Sequence, residues 1–141
     1  MAHSCRVHES CVIEATIDKV WNQIRPSTFA WWKLVQSSSA EEGAPVGATS
    51  VQTYADGSKW TIKLLEMSDI KNFISWEIVA SEEAIAVTSA VHTIRLRRIT
   101  ASSHTFVEWF TDFSSDATFE VIEDSKFKKL DAFKDLAEAS K

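Results

Sequence analysis

His92 heads the residues whose type and setting could do chemistry. His92, Ile94 and Leu96 alternate with Thr93, Arg95 and Arg97, so His92 is the only histidine on a predicted inward face. In an apolar pocket an imidazole gives or takes a proton near neutral pH. It can equally satisfy one hydrogen bond in a core or orient a ligand. Glu77 is the second candidate. Simple alternation turns Trp76 inward and Glu77 to solvent. Turned inward instead, its carboxyl would be raised in pKa by burial and could act as an acid. Thr88 could add a pocket hydroxyl. Metal chemistry finds no donor set: His8 and His104 lack partners at ligand spacing, no Cys-x-x-Cys pair occurs, and His3 and Cys5 lie at the terminus. There is no Walker loop, dinucleotide fingerprint or Gly-x-Ser-x-Gly elbow. The expectation is no metal and no cofactor.

Those residues must be held by a framework, and the hydrophobic pattern describes one. Residues 6–14 read as a first strand. Ala15 to Ile24 reads as a short helix, with Thr16 as N-cap, Asp18 in the first turn, and Val20, Trp21 and Ile24 at helical spacing. Pro26 separates it from a second short helix over Ser27–Trp32. Ser37 to Pro45 is polar and small, a surface loop. From Val46 to Phe113 the period is two, with turns at Asp56-Gly57, Asp69, Ser81-Glu82-Glu83 and Thr100–Ser103, and the expected order is a strand, two short helices, a six-stranded meander and a long helix. Asp116 to Lys141 is helical, with Phe119, Ile122, Leu130, Phe133 and Ala137 on one stripe. Glu123 and Lys126 fall near that stripe in its first half, where a helix that overhangs a cavity mouth tolerates charge.

The composition suits one domain spanning residues 1–141: 45% hydrophobic residues exclude disorder, and three glycines and two prolines leave no long linker. A net charge of −5 argues against nucleic acid. The densest basic groups, Arg95, Arg97 and Arg98, then Lys126, Lys128 and Lys129, read as solvated faces. No stretch approaches the ~20 apolar residues of a membrane span, and Met1 to Cys11 is no signal peptide. Cys5 and Cys11, about 20 Å apart along an extended strand, are too far apart for a disulfide. That points to the cytoplasm.

A sheet with one apolar face must bury it, and only the final helix is long enough to help. One helix cannot fill a strongly curved sheet of about seven strands, so a pocket remains. Ala86, Thr88 and Ala90, on the face of His92, leave room; six tryptophans could instead fill the space. The expected lining is Trp32, Trp60, Ile62, Leu64, Trp76, Ile78, Ala90, His92, Ile94, Trp109, Phe119, Ile122, Leu130 and Phe133.

The order of short motifs resembles a known superfamily. Ala15-Thr16-x-x-x-Val20-Trp21, Trp32, Val46-Gly47-Ala48-Thr49, Asp56-Gly57, Asp69, Ser75-Trp76-Glu77-Ile78 and Val107-Glu108-Trp109 are similar in sequence order to the polyketide cyclase/dehydrase branch of the helix-grip superfamily. The birch pollen allergen and START lipid-transfer domains share this superfamily. The resemblance runs from Arg6 to Ala137. It implies an α+β helix-grip fold: a seven-stranded curved antiparallel sheet, two short helices after the first strand, and a long C-terminal helix around an apolar cavity. Members include lipid and hormone carriers, plant hormone receptors and a few enzymes. Two departures matter. Ser50 stands where many relatives, including the onion lachrymatory-factor synthase, have an arginine; that synthase also has a glutamate in the position of Glu77. Tyr54-Ala55-Asp56-Gly57 replaces the gate of the abscisic-acid receptors, and the pocket glutamate those receptors place near Ile62 is missing.

Three functions follow as expectations. The first is binding or transport of a small hydrophobic molecule: a lipid, sterol or polyketide-like compound. The second is a cofactor-independent cyclase, dehydratase or isomerase, which requires His92 and a second titratable group to converge in the pocket. The third is a protein-interaction module that uses Phe106 and Phe110 on the outer sheet face.

Overall fold

A computed structural model describes residues 5–41, 45–81 and 87–141. The chain runs β1 (Arg6–Ile13), α1 (Ile17–Ile24), β2 (Val35–Ser38), β3 (Thr49–Tyr54), β4 (Lys59–Ser68), β5 (Phe73–Ser81), β6 (Ala90–Ile99), β7 (His104–Phe113) and α2 (Phe119–Ala139). The strands form one antiparallel sheet in the order β1-β7-β6-β5-β4-β3-β2. β1 crosses to pair with β7, and the rest is a meander. Two register shifts between β4 and β5, at Thr61/Ile62 and Leu64/Glu66, add bend to the middle of the sheet. The Asp56-Gly57 turn joins β3 to β4, with Gly57 at φ 88°, where a side chain would be strained.

The first helix forms as its pattern predicts and buries Val20, Trp21 and Ile24. Its N-cap Thr16 has the extended backbone of a cap, but its side chain makes no capping bond. Trp21 and Arg25 both donate to Asp69, at 2.9 and 2.6 Å, which pins α1 to the β4–β5 turn.

The second short helix does not form. Ser27 and Phe29 take φ of 62° and 55°, and a right-handed helix cannot pass through such residues. The segment is a chain of turns that buries Phe29, Trp31 and Trp32. The sixth strand of the meander is β2, whose Val35-Gln36-Ser37-Ser38 lies partly inside the expected loop. Residues 42–44 and 82–86 lie outside the described residues, and with them parts of the expected 37–45 loop and the Ser81-Glu82-Glu83 turn, and Ala86.

α2 is closed at both ends. The Thr118 side chain accepts from the Val121 amide, and the Ser140 hydroxyl donates to the Leu136 carbonyl at 2.7 Å. Ala132, Phe133 and Leu136 join a core built on Trp21, Trp31, Trp32, Trp76 and Trp109. Among the described residues no helix is long and apolar enough to cross a membrane.

Candidate ligand site

The sheet and the first half of α2 do not close on each other. Between them lies a cavity of about 130 Å³. Trp32, Tyr54 and Trp60 wall one side: the Tyr54 ring lies 5.9 Å from each of the two indoles. Ile78, His92 and Trp109 form the sheet floor, and Val121, Ser125 and Lys129 come down from α2. A wider hollow of about 430 Å³ adjoins it through Trp60, Ile78, Phe113, Val121 and Asp124, and reaches Ala90. Its rim is polar. Thr88 donates to Asp116 at 2.7 Å, Ser114 also donates to Asp116, and these donors hold that carboxyl below its usual range.

His92 is a cavity residue. Its ring stacks on Trp76 at 5.2 Å and 10°, and its Nδ1 lies 2.8 Å from Thr111 Oγ1. Burial, then the Lys129 charge, hold its pKa well below 6.5, so it is neutral at physiological pH. Glu77 is on the other face: Trp76 pairs with His92, and the partly exposed Glu77 sits between Lys63 and Val91.

The second titratable group in the cavity is one that hydrophobic periodicity missed. Lys129, taken from sequence as part of a solvated basic face, is 2% exposed. Its Nζ donates to Ser125 Oγ at 2.6 Å and lies 5.2 Å over the Trp109 ring. Burial lowers its pKa to about 7; Glu9 acts in the opposite direction and Lys128 adds to the fall. The sequence carried one signal for it. At 100° per residue, Ile122, Ser125, Phe133, Leu136 and Ser140 all lie within about 40° of Lys129 around the helix.

The same geometry corrects Phe119. It is the first residue of α2, about 80° from that axis, and is 67% exposed. Among the other expected lining residues, Trp32, Trp60, Ile78, His92 and Trp109 meet in the cavity, and Ala90 lines the outer hollow. Ile62, Leu64 and Trp76 instead line a separate pocket of about 280 Å³ at the other end, with Phe29, Ile74 and Ser50. Ile94 and Phe133 are solid core, with Leu130 packed against it. Ile122 packs on a small cluster of Val87, Ala90 and Ala117. The tryptophans therefore fill much of the interior and leave two smaller spaces. On the outer face, Phe106 and Phe110 are partly buried, the Arg6 guanidinium lies 4.6 Å over the Phe110 ring, and Val12, the β1 partner of Phe106, is exposed. Burial pushes the Cys11 thiol up to about 11, which leaves it unreactive. No cluster of metal-ligating side chains occurs among the described residues.

Solved structures share this architecture. A protein from Nitrosospira multiformis, a structural genomics target, is 25% identical over 96% of both chains, with a TM-score of 0.82. The protein XoxI from Bacillus cereus is 24% identical over 99% of this chain and 95% of its own, at 0.80. Ara h 8.0201 is 17% identical over 96% of each chain, at 0.71. DynU16, from the dynemicin biosynthetic locus, is 16% identical at 0.78, and this chain spans 47% of it. No family model and no curated protein sequence matches the chain. The chain has the helix-grip fold, a seven-stranded curved antiparallel sheet with a long C-terminal helix.

Proposed function

We propose that this chain binds a small, largely apolar molecule in the cavity between the sheet and the first half of α2. The observation that carries the reading is the cavity's wall: three aromatic rings from the 27–34 turns, β3 and β4 stand around a space that α2 roofs without filling. Such a space suits part of a lipid, sterol or polyketide-like compound, with the rest in the outer hollow. The test uses a neutral fluorescent probe, N-phenyl-1-naphthylamine. Its emission should rise on binding, and Ile78→Trp, which fills the cavity floor, should weaken binding by about tenfold. Unchanged binding in a folded Ile78→Trp protein would place the probe elsewhere and contradict the reading.

A second reading is favoured by one observation. His92 and Lys129 approach the same cavity, so a cofactor-independent cyclase, dehydratase or isomerase would have two groups for proton transfer. Glu77 has no part in it. Turnover by such an enzyme should fall at least a hundredfold in His92→Gln; a fall below threefold would remove His92 as acid or base.

A further inference from the structure

The charge at the centre of the α2 stripe is costly unless something pairs with it. A buried ammonium is normally compensated by a carboxylate. Lys129 makes no ion pair among the described residues. Asp124, five residues before Lys129 on α2, is taken by Lys128 at 2.8 Å, and Glu9 acts on Lys129 only from beyond contact. An ammonium has three donors; Ser125 Oγ is the acceptor Lys129 finds, and the Trp109 face supplies a weaker contact. A methionine would fill the same space at no electrostatic cost. The position is also the inward one: Lys129 lines the cavity beside His92 and Trp109.

We propose that the cavity's occupant carries a carboxylate, and that Lys129 binds it while the aromatic wall holds its apolar body. The inference rests on the cavity being a binding site. His92, whose Nδ1 lies 2.8 Å from Thr111 Oγ1, lines the same cavity as Lys129. Charged and titratable groups around Lys129 are Glu9 on β1, Tyr54 on β3, His92 on β6, and Asp124 and Lys128 on α2, while Cys11 on β1 packs against the main core. Cys11 and Tyr54 are pushed by burial to about 11 and about 12, and His92 well below 6.5, so none of these three titrates across neutrality.

The test compares octanoate with 1-octanol, equal in chain length, by titration calorimetry. At about pH 6 octanoate should bind about tenfold more tightly than octanol. The preference should shrink by about pH 9, where the Lys129 amine loses its proton. In Lys129→Met the preference should vanish while octanol binding persists. Equal binding of the two probes at about pH 6, or a preference that survives both the pH change and the substitution, would overturn the carboxylate inference and leave the binding site standing. Failure of both probes to bind would overturn the binding site as well. The pH series on the unaltered protein decides the matter even where the variant folds poorly.

Discussion

The two halves of α2 meet the same sheet with opposite results. From Ala132 to Leu136 the helix presses apolar side chains into a filled core, against Trp109 and the turns before β2. From Val121 to Lys129 it presents a hydroxyl and an amine to a space that stays open. Stability is concentrated in one half, and the features that suit a ligand in the other. The polar half tolerates its cost because the apolar half supplies the fold.

The largest effect should come from breaking the filled half. Leu136→Ala removes a side chain that is 1% exposed and should cost about 2–5 kcal/mol in denaturant unfolding. A loss under 1 kcal/mol would show that this half is not the anchor.

Next is Lys129→Met in the open half, which should raise stability at neutral pH by a few kcal/mol while impairing carboxylate binding. Its pH signature follows from the folded pKa near 7, below the ordinary 10.5. Between those values the unfolded chain holds the proton that the folded chain has lost, so stability should rise with pH from about 7. Above about pH 9 the buried Cys11 and Tyr54 act the other way, because they keep protons that the unfolded chain releases. The rise between about pH 7 and pH 8.5 should therefore be present in the unaltered protein and absent from Lys129→Met. An identical slope in both would mean that Lys129 is solvated.

The smallest effect concerns the helix start. Thr118→Ala removes the cap over the open half and should cost about 1 kcal/mol. It should also loosen ligand retention more than Leu136→Ala does per unit of stability lost, measured as the dissociation rate of N-phenyl-1-naphthylamine. Equal loosening would sever the link between the cap and the cavity roof.

Much of the fold was legible in the residues. Alternation across Trp60–Leu64, Ile74–Ile78, His92–Leu96 and Val107–Phe113 marks strands, because one face of the sheet is buried and the other is wet. It also set His92 inward and Glu77 outward. Three features escaped for physical reasons. β2 is short and its Val-Gln-Ser-Ser shows no apolar alternation; it is held by pairing with β3. The Ser27–Trp32 turns have a helical spacing of aromatics but depend on two left-handed residues that the sequence does not announce. The α2 stripe was placed off axis, through Phe119 and Leu130, because the residues at its true centre, Ser125 and Lys129, are polar. Hydrophobic periodicity finds a buried face by its apolar residues and misplaces a face whose middle meets a cavity.

The measurement that bears most directly on the binding role is native mass spectrometry of the protein purified from its own source, followed by organic extraction. The account predicts a near-equimolar, largely apolar molecule that leaves on extraction and is displaced by Ile78→Trp. Protein that is empty at source and also fails to take up N-phenyl-1-naphthylamine would contradict it.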